Sequence, residues 1–170
     1  MNIRRTVPIT RTDVLLFVIL LAAATFAPYA RNQFITGTIV NSALLAATAM
    51  LGIRAGLLIG IIPSAIALAT GLLPTALAPM IPFVIIGNAA LVTVFDYFRK
   101  LNYWVGSVSG SIVKFGLLYG TVSIVTHFIT NQGIASSVAY ILGWPQLVTA
   151  LAGSAVSFGI LSLKNKTTIS

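Results

Sequence analysis

Val14 to Ala30 reads VLLFVILLAAATFAPYA, without a charge between Asp13 and Arg31, and runs of this kind recur along the whole chain. At 1.5 Å per residue, about 20 such residues cross the ~30 Å hydrocarbon layer of a bilayer as a helix. A helix also pairs its own backbone N–H and C=O groups, which lipid cannot do for it. Six segments have roughly this length, near residues 13 to 30, 36 to 52, 54 to 71, 80 to 98, 103 to 129 and 136 to 161. With 58% hydrophobic and 7% charged residues and a mean hydropathy of +1.02, the chain carries more apolar surface than a soluble domain of its size can bury. The expected fold is an all-α integral membrane protein, a single bundle of six transmembrane helices over residues 1–170. Only short tails, 1–12 and 162–170, are left outside it.

The net charge of +8 does not point to nucleic acid, because the basic residues sit mostly in the gaps between apolar segments. If the N-terminus is cytoplasmic, Arg4, Arg5, Arg11, Arg54, Arg99, Lys100, Lys164 and Lys166 all fall on the inner side and Arg31 alone falls outside. The excess of inner Lys and Arg predicts an N-in, C-in, multi-pass protein of the cytoplasmic membrane. A cleaved signal peptide is the rival for the first segment, which closes in ATFA. Pro28 directly after Ala27 disfavours cleavage there.

Few catalytic groups exist. The chain has no cysteine and no glutamate; its only acids are Asp13 and Asp96 and its only histidine is His127. Paired carboxylates, a Ser-His-Asp triad and a His-rich metal site are therefore out of reach, and the expectation is a protein that is no enzyme and holds no metal or cofactor. GSVSGSIVK, Gly106 to Lys114, lacks the G-x-x-x-x-G-K-[ST] spacing of a phosphate loop and lies within an apolar span.

Lys114 stands out. It lies about 16 Å into the fifth segment by the helical rise, where a lysine costs roughly 2.5 to 3.5 kcal/mol and tends to mark a substrate or ion pathway. Asp96, near the inner end of the fourth segment, is too far away to pair with it. Three roles remain: snorkelling or bonding to backbone carbonyls, binding an anionic group of a ligand, or gating and subunit contact. Ser107, Gly110, Ser111, Lys114 and Thr121 share one small, polar helical face, and Gly106/Gly110 and Gly116/Gly120 are spaced for close helix packing. GTIVNSALL (Gly37 to Leu45) and GSIVKFGLL (Gly110 to Leu118) also match at an offset that aligns Asn41 with Lys114. A repeat of three spans would be inverted in the membrane, as in many transporters.

Pro74, Pro79 and Pro82 interrupt the run LLPTALAPMIPFVIIGN, Leu72 to Asn88. Broken backbone of this kind must be buried in protein or face water. The expectation is an outer loop folded over a pocket, with Pro82 in the first turn of the fourth helix. Asn88 then sits about 10 Å below the outer end of that helix, either bonded to a neighbouring helix or contacting a ligand. Asn32, Gln33, Asn41, Tyr119, Trp144 and Gln146 are the other candidates to line such a pocket, whose apolar walls and few polar groups suit a small molecule. Tyr29, Tyr140 and His127 read as interfacial or packed residues.

The stretch GTIVNSALLAATAMLGIRAGLLIGIIPSAIALATGLLPTALAPMIPFVIIGNAALVTVFDYFRK, Gly37 to Lys100, with the length and span count of the whole chain, resembles the substrate-binding S components of energy-coupling factor (ECF) transporters. The resemblance implies capture of a vitamin or related micronutrient in an outer-half pocket. It also implies delivery through a separate transmembrane coupling subunit and a pair of cytoplasmic ATPases, with release by toppling in the membrane. Family members often dock through A-x-x-x-A in the first helix, a spacing met by Ala23 and Ala27, and also by Ala43/Ala47 and Ala65/Ala69. Lys114 favours a substrate with a carboxylate or other anionic group, Asn88 a neutral hydrogen-bonding one. The competing expectations are a self-sufficient homo-oligomeric carrier or channel and a ligand-free scaffold.

Overall fold

In the computed structural model, which describes residues 10–70, 79–128 and 132–167, local chemistry accounts for where most helices start. Thr10 and Asp13 form a reciprocal cap on α1 (Arg11–Phe26): the Asp13 N–H donates to Thr10 Oγ1 at 3.2 Å and the Thr10 N–H to Asp13 Oδ2 at 3.0 Å. A short 3-10 turn, Ala27–Ala30, follows. Asn32 then accepts from the Phe34 and Ile35 N–H groups to start α2 (Gln33–Leu51). Asn102 does the same for α5 (Tyr103–Val125). Gly52 alone joins α2 to α3 (Ile53–Ala69), and its φ of 97° is a conformation that a side chain would strain. Pro82 lies in the first turn of α4 (Ile81–Phe98), where its missing donor costs no helical bond.

The stretch expected to be one last span is two helices, α6 (Gln132–Leu142) and α7 (Pro145–Thr167). Residue 145 would normally donate to the carbonyl of Ile141, and proline has no N–H to give. The structure returns that bond from side chains: Gln146 Nε2 donates to the Ile141 oxygen at 3.0 Å and Gln33 Nε2 at 3.3 Å. The break is thereby tied to the start of α2.

All described secondary structure is helical. Five stretches, Arg11–Ala30, Gln33–Leu51, Ile81–Phe98, Tyr103–Ile124 and Ala135–Lys164, are long and apolar enough to cross a membrane, and Ile53–Ile66 is a shorter apolar helix. This is the build of a multi-pass membrane protein. The expected loop lid, including Pro74, falls in residues 71–78, outside the described residues.

α2 runs through the middle, against α1, α3, α4 and α7, and every residue from Asn41 to Thr48 is buried. A helix with apolar residues all round belongs in such a place. Leu44, Leu45, Ile59, Leu91, Val92 and Phe95 form the main apolar core toward the end that carries Arg99. Met80, Val122, Val138 and Leu142 form a smaller one toward the Arg31 end.

Glycine sets how closely the helices approach. A Cβ on Gly153 of α7 would lie 2.7 Å from Asn41 Cβ and 2.8 Å from the Ser42 nitrogen of α2. One on Gly37 would lie 2.8 Å from Thr149 Cβ. Gly106 and Gly110 do the same for α5 on α4, within 2.7 Å of the Arg99 nitrogen and 2.9 Å of the Leu91 oxygen. One G-x-x-x-G pair is therefore used inside the chain. The other, Gly116/Gly120, meets nothing within 4 Å among the described residues. Gly153→Ala should destabilise the protein by about 1–3 kcal/mol through overpacking, while Gly116→Ala should cost nothing. Thermal unfolding of the two variants in the same detergent measures the contrast, and equal melting temperatures would contradict the close α2–α7 contact.

Candidate functional site

Lys114 is 3% exposed, and its acceptors among the described residues are side-chain amides rather than backbone carbonyls. Its Nζ donates to Asn41 Oδ1 at 2.6 Å and to Asn88 Oδ1 at 2.7 Å, so three helices meet on one ammonium. Both amides are oriented from behind. Asn41 Nδ2 donates to Thr149 Oγ1 at 3.3 Å, and Thr149 donates on to the Gln146 carbonyl at 3.2 Å. Asn88 Nδ2 donates to the Gly60 carbonyl at 3.3 Å. With one N–H of each NH₂ engaged this way, both amide oxygens face the lysine. α5 lies against α4 and α7 rather than along α2, and the length of the lysine closes the gap to Asn41. These two residues are the pair aligned by the internal sequence match.

No carboxylate belongs to this cluster. Asp96 is held by Arg99 at 2.8 Å at the far end of α4, and Asp13 is tied up in the α1 cap. Amide oxygens satisfy donors without cancelling charge, so Lys114 in its ammonium form is a buried positive charge with no carboxylate beside it.

Asn41, Asn88 and Lys114 form part of the wall of a cavity of about 140 Å³. Its other walls come from Ala24 and Pro28 at the end of α1, Val40 of α2, Ile59 and Pro63 of α3, Met80, Ile81 and Val84 around the start of α4, and Ile141 and Leu142 of α6. Gln33, Thr36, Ser64 and Gln146 add polar groups. The cavity thus lies toward the Arg31 end, where α2, α4 and α7 begin, with the ammonium at its deep side.

The candidates from sequence divide. Asn88, Lys114, Asn41, Gln33 and Gln146 are brought together on this cavity. Asn32 is exposed and its Oδ1 caps α2, Tyr119 is 56% exposed against Phe115, and Trp144 is 56% exposed against Phe34. None of these three lines it. Ala23 is exposed on α1, whereas Ala27 is buried, its carbonyl accepting from Thr36 Oγ1 at 3.0 Å. Thr149, Gly60, Thr36 and Pro63 were not anticipated. Gln146, Thr149 and Gly153 recur at helical spacing on one face of α7, a pattern that marks Thr149 as inward-facing.

Comparison with protein families, with curated proteins and with solved structures gives no match for the chain. Among the described residues no group of three His, Cys, Asp or Glu side chains is placed to hold a metal ion.

Asn88→Ala should destabilise the protein by about 1–3 kcal/mol, since it leaves part of a buried ammonium unpaired. Adding Lys114→Met should restore part of that loss, because an apolar chain no longer needs the acceptor. A double-mutant cycle by thermal unfolding reads this as a coupling of about 0.5–3 kcal/mol. Strict additivity would show that the two residues do not interact.

Proposed function

We propose that this protein is a membrane-embedded substrate-capture subunit of the S-component type. It binds a small organic molecule in the cavity walled by Lys114, Asn41 and Asn88 and passes it on through a separate coupling subunit and ATPases. The observation that carries this is a buried lysine, oriented by two amides, on the wall of a mostly apolar cavity. Ligand sites commonly pair apolar walls with a few placed polar groups, and ionisable residues within membrane spans tend to be functional. The resemblance of Gly37 to Lys100 to S components supports the assignment, as does the scarcity of catalytic groups.

In this proposal the six apolar stretches cross the cytoplasmic membrane with both termini inside, and the cavity lies in the outer half. The lopsided distribution of Arg and Lys supports that orientation. Ala23, with the exposed Leu15, Val18 and Ile19 of α1, is the surface offered to the coupling subunit. A homo-oligomeric carrier is the second reading, favoured by the open small-residue face at Gly116 and Gly120.

Purification from native membranes separates the two. A capture subunit should bring down a transmembrane partner with ATPases, should carry a small molecule visible by native mass spectrometry, and should not transport by itself in liposomes. Transport by the purified chain alone would favour the carrier, and recovery of neither partner nor ligand would sink the S-component assignment. Orientation has its own test, because the chain has no native cysteine. In intact cells a membrane-impermeant maleimide should label Arg31→Cys and spare Arg54→Cys and Lys100→Cys. The opposite pattern would reverse the topology.

A further inference from the structure

An ammonium can donate three hydrogen bonds, and among the described residues Lys114 Nζ has two acceptors, Asn41 Oδ1 and Asn88 Oδ1. In that form one N–H and one positive charge are left over on the wall of the cavity. We propose that the ligand of this cavity is a small monocarboxylic acid, its carboxylate accepting the remaining Lys114 N–H and its apolar body filling the space between Val40, Ile59, Ile81 and Val84. The proposal rests on the capture reading only in taking the cavity to be a binding site, and it adds the class of molecule.

Charge balance does most of the selecting. A monoanion cancels the single buried charge, whereas a neutral molecule leaves it uncompensated, which is costly in an apolar setting. A dianion such as a phosphate monoester overshoots and leaves one buried negative charge. Amines, zwitterionic amino acids and metal cations would need a carboxylate on the wall, and the cavity lining has none. Size narrows the class further. The ~140 Å³ cavity compares with engineered apolar cavities of about 150 Å³ that hold benzene. The walls are apolar apart from the lysine and a few amides and hydroxyls, so the body of the acid is hydrocarbon-like rather than sugar-like.

The decisive measurement is a shape-matched series on the purified full chain in detergent, read by thermal shift and calorimetry: benzoate, benzamide, benzylamine and phenyl phosphate. Benzoate should raise Tm in a saturable way and bind at least about tenfold more tightly than each of the others, reflecting the charge-assisted contact. In Lys114→Met that preference over benzamide should fall to about onefold, and in Lys114→Arg it should survive in part. If Lys114→Met does not fold, the wild-type series still decides. Benzamide, benzylamine or phenyl phosphate binding as well as benzoate would overturn the proposal. So would the absence of any saturable benzoate effect up to roughly 10 mM, beyond the range expected for one charged contact plus a buried ring. A neutral or cationic molecule co-purifying in the cavity would overturn it too. These outcomes are separable from the transporter assignment. Benzoate binding without ATPase partners would remove the S-component role and keep the ligand class, and ATPase partners with no carboxylate preference would do the reverse.

Discussion

A single ammonium buried in an apolar bundle has to be held by something, and here that is the oxygens of Asn41 and Asn88 at 2.6 and 2.7 Å. The bond to Asn41 links α5 to the central α2, and the bond to Asn88 links α5 to α4. The supporting bonds to Thr149 and Gly60 extend the network to α7 and α3. Five helices are thus committed to one relative placement by a chain of polar contacts. In a low-dielectric interior such a chain is costly to disrupt at any link, so it specifies one arrangement where apolar packing by itself would accept several.

Glycine makes that placement sterically possible. Asn41 can sit deep between α2 and α7 because Gly153 presents no side chain to it, and Asn88 can approach Gly60 because a Cβ there would already stand 3.2 Å from its own. Hydrophobic burial does not drive helices together in lipid as it does in water, and close van der Waals contact with interhelical hydrogen bonds takes its place. The small residues of the bundle and its buried polar residues are therefore two halves of one device.

Pro145 adds the cavity. By removing the donor that would close the turn on Ile141, it separates α6 from α7 and leaves the carbonyl to Gln146 and Gln33. Both glutamines line the cavity as a result. Pro28 and Pro63 stand on its other walls. Space, polar groups and broken helices coincide at the Arg31 end because irregular backbone within a membrane is tolerated only where protein or a cavity satisfies it.

Much of this was legible in the residues. Apolar runs of bilayer length announced the helices. Pro82 marked where α4 begins, and polar residues in the middle of apolar runs singled out Asn41, Asn88 and Lys114. Those signals are local: length, periodicity and the cost of a charge in lipid can all be read along one helix. What the tertiary structure decided is which of the polar residues meet. Asn32 caps its own helix, Tyr119 and Trp144 face outward, and Thr149, unremarkable in sequence, turns out to orient Asn41. Spans of similar hydropathy can pack in many orders, and only the approach distances set by glycines on different helices, together with hydrogen bonds between residues as far apart as Asn41 and Thr149, select one of them. The sequence alone determined a helical membrane chain with a lysine that needed a partner, and the three-dimensional packing supplied two amide oxygens and left one N–H facing a cavity.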